Sequence, residues 1–306
     1  NSEIIFKSWK KLGLSTKKRI YLITNYKLIV KQFKILNIPI KVSKIENIDE
    51  KVKSDKLKIL DIDINFRDPF KVSTNEASKF VKKSLNLAHH LAVKKKISGI
   101  INCAIDKKLL KKKSGVTEYL ANKCNIKNNS EVMLIKGKKL SVIPITTHID
   151  LKEVAKKINL KMIENKVKTA NTWYKKTYRK SPKIAMLGLN PHNAELRPES
   201  EEIKIILPTI LKLRKNGVKI VGPIVADTIF IKNYKKYDLI FGMYHDQVLA
   251  PFKTISKFEA INITLGLKYL RVSPDHGTAK NLIKKNKADP TSLIECFKFI
   301  KKVTKW

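Results

Sequence analysis

Three of the six histidines follow short apolar runs, a placement that suggests a shared chemical role. The runs cover 140–148, 184–192 and 237–245, and they end at His148, His192 and His245. Apolar runs of this length are typical of buried strands, and parallel α/β sheets bind ligands at the carboxyl ends of their strands. Because imidazole is a common ligand of divalent metals, the pattern predicts a metal-binding active site. The alternative is that each histidine merely caps a strand or lies in a turn.

A second polar segment lies between residues 244 and 279. It contains Lys253, Asn262 and Arg271 beside apolar runs, and polar groups of this kind would be costly to bury without partners. They therefore indicate a cleft filled by solvent or ligand. Lys253 and Arg271 suit a doubly anionic ligand, since lysine is a compact charge and arginine a planar fork for carboxylate or phosphate. The alternative for each cation is an ordinary surface position.

Strand-like and helix-like segments alternate along the chain and must position these residues. Residues 98–105 form an apolar run typical of a strand, whereas 75–94 and 291–303 have the spacing of helices. Residues 57–64 alternate apolar and charged side chains, which predicts a strand with one exposed face. The alternation of strands with helices along the chain predicts βαβ units and a largely parallel sheet of an α/β protein.

Glycine spacing excludes two common nucleotide-binding motifs. The ten glycines never stand two residues apart, so the chain has no Rossmann fingerprint, and it has no GxxxxGK[ST] loop. A dinucleotide would have to bind through another architecture.

Composition limits the class of protein. The 306 residues are 43% hydrophobic, which excludes general disorder, and carry a formal net charge of +39. That charge is compatible with nucleic-acid binding, but the lysines are spread along the chain and only six arginines occur. No apolar run approaches the roughly 18 residues of a membrane span, and the three cysteines lack disulfide or zinc spacing. We therefore expect a cytoplasmic protein with neither membrane nor nucleic acid as its partner.

Several spaced motifs resemble the signature segments of the 4-hydroxythreonine-4-phosphate dehydrogenase (PdxA) family of vitamin B6 synthesis. The motifs are GVTEYLA at 115–121, TTHIDL at 146–151, GLNPHNAE at 188–195, GPIVADTIF at 222–230, MYHDQVLAPFK at 243–253 and NITLGLKYLRVSPDHGTA at 262–279. They occur in the family's order. The resemblance extends from about residue 97 to the C-terminus, and the region before it adds little.

The resemblance implies a two-domain α/β/α fold like that of isocitrate and isopropylmalate dehydrogenases, which lacks the Rossmann glycines. We expect a nucleotide-side domain from 1–110 with 250–306, and a metal-, substrate- and dimer-side domain from 111–249. The family is homodimeric, with its active site at the subunit interface. A second copy of this chain is therefore an expected partner.

The resemblance also assigns roles to individual residues. The implied metal ligands are His148, His192 and His245. The implied substrate contacts are Thr117, Lys253, Asn262 and Arg271. The implied cofactor-binding residues are Ser273, Asp275, His276, Gly277 and Thr278. The catalytic candidates are Asp227, Asp246 and Lys253, and either aspartate could orient a histidine, accept a proton or be an ordinary surface carboxylate.

The activity implied by the resemblance is metal-dependent oxidation of 4-phosphooxy-L-threonine with NAD or NADP. Decarboxylation to 3-amino-2-oxopropyl phosphate follows, as a step of pyridoxal phosphate biosynthesis. A divalent metal would polarise the substrate hydroxyl and then the new carbonyl. Zn²⁺, Co²⁺ and Mg²⁺ are the candidates, and Zn²⁺ is favoured because imidazole suits magnesium poorly.

The chain departs from the family pattern in three places. Val116 replaces a substrate-contacting histidine and cannot donate that hydrogen bond. Glycine-rich segments expected after the NPH motif and near the N-terminus are absent, and the chain starts at Asn1, so we expect N-terminal family residues to be missing. These departures keep open a related dehydrogenase for another phosphorylated or carboxylated hydroxy acid. A non-enzymatic basic protein that binds nucleic acid is the second alternative.

Overall fold

The computed structural model describes residues 1–53, 55–110, 115–126 and 130–304. Within these residues the strands are β1 (Tyr21–Thr24), β2 (Val42–Ile45), β3 (Leu57–Asp61), β4 (Ile100–Ile101), β5 (Val132–Lys136), β6 (Ser141–Pro144), β7 (Ile184–Leu187), β8 (Ile220–Ile224), β9 (Leu239–Gly242), β10 (Ile261–Leu265) and β11 (Arg271–Pro274). The α-helices are α1 (Ser2–Lys11), α2 (Leu14–Lys17), α3 (Tyr26–Ile35), α4 (Thr74–Val93), α5 (Val116–Lys123), α6 (Val154–Lys157), α7 (Leu160–Tyr178), α8 (Leu207–Lys215), α9 (Ala226–Ile229), α10 (His245–Ser256) and α11 (Thr291–Thr304). The helices predicted at 75–94 and 291–303 are confirmed as α4 and α11, whereas the apolar run 98–105 forms only the short β4.

The chain folds into two compact units. The first contains Asn1–Lys123 and Val272–Trp306, and the second contains Cys124–Arg271. These ranges differ from the predicted domains at 111–123 and 250–271, and residues 111–114 at the predicted boundary lie outside the described residues. Residues 250–271 group with the second unit because β10 pairs with β5 along its whole length. Which unit serves the nucleotide and which the substrate stays a prediction.

The first unit contains a parallel three-stranded sheet in the order β1-β3-β2. The prediction that residues 57–64 have one exposed face is wrong, because β3 is the central strand and is buried from Leu57 to Leu60. Lys58 is buried, and its Nζ donates a hydrogen bond to the carbonyl of Lys18 at 2.5 Å. The same Nζ lies 4.1 Å from the ring centroid of Tyr21. Burial lowers the pKa of this lysine.

The strands of the second unit lie in the order β10-β5-β6-β9-β7-β8. From β6 to β8 the pairs are parallel, whereas β5 pairs antiparallel with both β10 and β6. Strands β6, β7 and β9 are buried at every position, as expected for strands covered on both faces. Val248, Leu249 and Phe252 of α10 pack into this core. The predicted α/β fold with mostly parallel sheets is confirmed.

Within the described ranges, no helix combines the length and the apolar character that crossing a bilayer requires.

Candidate active site

The carboxyl ends of β6, β9, β7 and β8 lie side by side in the second unit. Hydrogen bonds continue past these ends: Thr146 N–H donates to the Met243 carbonyl at 3.1 Å, and Gly188 N–H donates to the Ile224 carbonyl at 3.1 Å. The residues that follow the four strand ends include His148, His245, His192 and Asp227, respectively. The topology therefore brings the four segments to the sheet edge at which parallel α/β proteins bind ligands.

His148 and His245 lie close together at this edge. Their ring centroids are 5.7 Å apart and the ring planes are inclined by 40°. Two imidazoles that bind one tetrahedral zinc ion at about 2.0–2.1 Å have centroids roughly 5 Å apart, so the observed spacing is near that of a shared ion. Imidazole nitrogens also suit Zn²⁺ or Co²⁺ chemically. The pair therefore fits two of the ligands of a metal site.

Asp246 contacts one of these two histidines. Its Oδ1 lies 2.6 Å from Nδ1 of His245, at the first residue of α10. When Nδ1 carries the proton and donates it to this carboxylate, Nε2 keeps the lone pair that a metal ligand requires. The arrangement is typical of carboxylates that orient a metal-binding histidine.

His192 does not complete the cluster in one chain. Among the residues that the structure describes, no three His, Cys, Asp or Glu side chains are arranged to hold a metal ion. Nε2 of His192 instead lies 4.0 Å from Oδ2 of Asp227, and the two side chains are 72% and 64% exposed. Convergence of all three predicted histidines within a single chain is therefore not observed. Their assignment to one ion stays a prediction.

The turn that carries His192 has an unusual backbone. Residues 192–196 all have φ between 49° and 58°, and none of them is glycine. The left-handed region costs an L-residue roughly 1–2 kcal/mol, so contacts from outside the turn must hold it. Strain of this kind is concentrated at functional sites in proteins.

Glu202 contacts the segment that leads into this turn and was not among the residues predicted from the sequence. Its Oε1 accepts hydrogen bonds from the backbone N–H groups of Leu189 and Asn190, at 2.7 and 2.8 Å. Its Oε2 accepts from Nδ2 of Asn190 at 3.0 Å. Glu202 is fully buried, and burial raises its pKa, but the hydrogen bonds outweigh burial and hold the pKa below its ordinary value. The sequence feature that could have indicated Glu202 is an acidic residue among the apolar positions of a predicted helix.

Gln247 was also not predicted, although it stands two residues after His245. Its Oε1 accepts from the N–H of Met243 at 2.7 Å, and its Nε2 donates to the carbonyl of Gly188 at 2.8 Å. The side chain therefore connects the end of β9 to the end of β7. It links the segment that carries His245 to the segment that leads into the His192 turn.

The predicted substrate-binding residues lie on several elements. Arg271 is 3% exposed, and its Nη1 donates to Oγ1 of Thr264 at 2.8 Å. Asn262 in β10 has a buried Oδ1 without a hydrogen-bond partner in the described part of the chain, which is the state of an acceptor that a ligand would satisfy. Lys253 is exposed on α10, and Thr117 lies in α5 of the first unit.

Of the predicted cofactor-binding residues in the first unit, Ser273 lies within β11 and the others directly follow that strand. Ser273 is buried, and Asp275 N–H donates to Oγ of Ser292 at 2.9 Å. Nδ1 of His276 lies 2.9 Å from the carbonyl oxygen of Gly277. His276 Nε2 is buried and has no partner among the described residues.

A pocket of about 650 Å³ adjoins this segment. Its lining consists of Ile105, Asp106, Lys107, Lys108, Thr278, Ala279, Lys280 and Asn281. One of its lysines, Lys280, forms an ion pair with Asp106 at 2.6 Å. With three lysines against one aspartate, the pocket suits an anionic ligand.

Comparisons with known proteins agree on one family. The profile of the pyridoxal phosphate biosynthetic protein PdxA matches residues 16–300. The 4-hydroxythreonine-4-phosphate dehydrogenase of Sulfurihydrogenibium sp. (strain YO3AOP1) is 38% identical over 305 residues, which cover 96% of this chain and 92% of that relative.

Two further comparisons bear on activity and fold. A relative from Oceanobacillus iheyensis, provisionally named as a D-threonate 4-phosphate dehydrogenase, is 31% identical over 307 residues, covering 96% of this chain and 91% of its own. The crystal structure of 4-hydroxythreonine-4-phosphate dehydrogenase from Klebsiella pneumoniae matches with a TM-score of 0.87 at 27% identity, covering 100% of this chain and 94% of that one. The predicted resemblance is confirmed.

Proposed function

The chain belongs to the PdxA family of pyridoxal phosphate biosynthetic proteins, whose relatives are dehydrogenases, and on this premise we propose a specific reaction and site. The protein oxidises 4-phosphooxy-L-threonine with NAD(P)⁺ and decarboxylates the product. His148 and His245 of one chain hold a divalent metal, and His192 of a second copy completes the site. The observation that carries this proposal is the His148–His245 pair at 5.7 Å, which no third ligand joins within the described residues of one chain.

The reaction removes a hydride from C3 and a proton from the C3 hydroxyl. The resulting β-keto acid loses CO₂, and C2 takes up a proton from water to give 3-amino-2-oxopropyl phosphate. When bound, the metal would polarise the oxygen on C3 and NAD(P)⁺ would accept the hydride. In this proposal Asp246 keeps His245 oriented through the 2.6 Å contact. Asp227, which is exposed at the same sheet edge, accepts the hydroxyl proton.

The substrate's charges match the cations of the second unit. Arg271 presents a buried planar guanidinium, suited to two oxygens of a phosphate or carboxylate, and Lys253 adds an exposed point charge on α10. The unpartnered Oδ1 of Asn262 would accept a hydrogen bond from the substrate's ammonium or hydroxyl group. Thr117 in α5 stays a predicted substrate contact, and its hydroxyl can both donate and accept a hydrogen bond.

The cofactor is assigned to the first unit in this proposal. Ser273, Asp275, His276, Gly277 and Thr278 would bind NAD or NADP. The basic pocket beside Thr278 supports the assignment, since Lys107, Lys108 and Lys280 can neutralise phosphates of the dinucleotide.

The homodimer is supported by the surface close to the strand ends. Leu151, Leu196 and Ile231 are 68%, 53% and 71% exposed. They stand within four residues of His148, His192 and Asp227, respectively. A partner commonly covers such side chains where they form one patch, and in this proposal a two-fold dimer covers them on both copies.

Hybrid dimers test which chain supplies each histidine. His192→Ala and His245→Ala homodimers should each lose most of their metal and activity. A hybrid of one H192A chain and one H245A chain should regain one complete site, and so about half of wild-type activity with one ion per dimer. Co-expression with two affinity tags isolates the hybrid, and atomic absorption counts the metal.

The matched control is a hybrid of His148→Ala and His245→Ala chains, which should stay inactive because each site lacks one histidine of the pair. If all three ligands came from one chain, the H192A/H245A hybrid would be inactive as well. An inactive H192A/H245A hybrid would therefore contradict the proposal that two chains share one metal site.

D-threonate 4-phosphate is the second candidate substrate. The Oceanobacillus iheyensis relative carries that name, and Val116, the first residue of α5, stands beside Thr117 where the family is expected to carry histidine. The two compounds differ at C2, which carries ammonium in one and hydroxyl in the other. Comparing kcat/KM for both with the metal-loaded enzyme decides between them, and a higher value for D-threonate 4-phosphate would replace the first proposal.

A further inference from the structure

We propose that Glu202 is a positioning residue for metal binding, which fixes the turn that carries His192 without touching the ion. The inference rests on the proposed role of His192 as a metal ligand. It adds a residue that stands ten positions away from that histidine and in another element.

The His192 turn needs an external restraint. Five consecutive residues without a glycine occupy the left-handed region from His192 to Leu196. Each would relax toward right-handed or extended backbone if the surroundings allowed it, because the left-handed conformation brings Cβ too close to the carbonyl oxygen. A histidine in such a turn keeps its position only where other contacts outweigh this tendency.

One peptide unit at the entrance to the turn is held from both sides. The carbonyl of Gly188 accepts from Nε2 of Gln247 at 2.8 Å, and the N–H of Leu189, in the same peptide, donates to Glu202 at 2.7 Å. Since a peptide unit is planar, these two bonds together fix its orientation. Glu202 then also holds the next N–H, that of Asn190, at 2.8 Å.

Close packing leaves little freedom at this entrance. A Cβ on Gly188 would overlap Oδ1 of Asn193 and lie 3.0 Å from Oε1 of Glu202. Glycine at position 188 therefore leaves room for the Asn193 side chain and allows the Glu202 carboxylate to approach the backbone closely. Because Glu202 is fully buried, its charge-assisted hydrogen bonds are shielded from competing water.

The test compares two substitutions of Glu202 with a matched control. Glu202→Gln removes the charge and turns an N–H donor toward Asn190. Glu202→Asp keeps the charge but shortens the side chain. This second variant provides the test if the first does not fold. Glu201→Gln is the control, because Glu201 accepts a hydrogen bond from the Asn190 side chain at 2.8 Å, whereas Glu202 also holds backbone N–H groups. Co²⁺ affinity is measured by titration, and amide hydrogen exchange reports on Leu189 and Asn190.

We expect both Glu202 variants to bind Co²⁺ about 10-fold or more weakly, as for other residues that orient metal ligands. The Leu189 and Asn190 amides should exchange faster in these variants, while the amides of α7 keep their protection. Glu201→Gln should change Co²⁺ affinity less than about 2-fold. Wild-type Co²⁺ affinity in both folded Glu202 variants would overturn the inference.

His192→Ala separates this inference from the proposed function. If H192A loses Co²⁺ while the Glu202 variants keep it, the metal assignment stands and the role of Glu202 is wrong. If H192A itself binds Co²⁺ like the wild type, the assignment of His192 fails first, and the inference fails with it.

Discussion

Two features of the candidate site have a cost in folding stability. The buried Oδ1 of Asn262 has no hydrogen-bond partner among the described residues, and leaving a buried acceptor unsatisfied costs about 1–3 kcal/mol. The left-handed turn at 192–196 is a second such case. Natural proteins tolerate these costs where activity requires the geometry. A substitution that removes the cost should therefore damage function rather than folding.

Asn262→Leu tests this at a single residue. Leucine branches at Cγ as asparagine does and has no polar atom to bury, but it is larger, so the gain from removing the unsatisfied acceptor and the cost of overpacking oppose each other, and the free energy of unfolding should stay within about 1 kcal/mol of the wild-type value. KM for the phosphorylated substrate should rise about 10-fold or more, since the proposed acceptor is lost. Urea unfolding and steady-state kinetics give the two values. An unchanged KM, or a loss of stability above about 2 kcal/mol, would show that Asn262 serves the fold.

At the scale of elements, Asp238 connects three segments of the second unit. Its Oδ1 accepts from the hydroxyl of Tyr174 in α7 at 2.7 Å and from Nζ of Lys180 at 3.0 Å. Its Oδ2 accepts from the N–H of Lys183, just before β7, at 2.9 Å. Burial raises the pKa of Asp238, but these hydrogen bonds outweigh it and the pKa lies below its ordinary value. The carboxylate thus holds α7 and β7 to the start of β9.

This contact predicts a pH-dependent stability. Because the pKa of Asp238 is lower in the folded chain, its stabilisation is fully present above the ordinary aspartate pKa of about 3.9. It is lost as the pH falls through the folded-state value. Asp238→Asn should lower the free energy of unfolding by about 1–3 kcal/mol at pH 7 and by less near pH 3.

Chemical denaturation at both pH values measures this difference. The control is Asp150→Asn, at an exposed position without a side-chain cap bond, which should change stability little at either pH. An equal loss for D238N at pH 7 and pH 3 would mean that the charge of Asp238 contributes nothing.

The sequence located the strands of the site well because their signal is local. The apolar runs that end near His148, His192 and His245 contain β6, β7 and β9, and parallel pairing brings their carboxyl ends together. Pairing between distant segments is not local, so the sequence did not show that β10, within residues 250–271, pairs with β5. The left-handed turn and the hydrogen bonds of Glu202 and Gln247 to the Gly188–Leu189 peptide could not be predicted from the sequence either. They depend on side chains that meet across different elements.

At the scale of the whole molecule, the spacing of residues along one chain does not show whether that chain or a second copy supplies a given ligand. The spacing of the three histidines predicted their convergence, but within one chain the structure pairs only His148 with His245 among these described residues. Charge is different, because it is a property of composition. The formal net charge of +39 acts on any approaching anion, whatever the details of the fold.

That field predicts how the enzyme responds to salt. Lysines distributed over the surface raise the local concentration of a phosphorylated, carboxylated substrate, and added ions screen them over a Debye length of about 8–10 Å near physiological ionic strength. We expect kcat/KM to fall roughly 10-fold between about 20 and 300 mM KCl while kcat stays nearly constant. Sucrose added to match the small viscosity change caused by KCl should leave kcat/KM nearly unchanged, because it supplies no ions to screen the lysines. A flat dependence on KCl would mean that capture depends only on short-range contacts such as those of Arg271, and that the surrounding lysines contribute nothing to it.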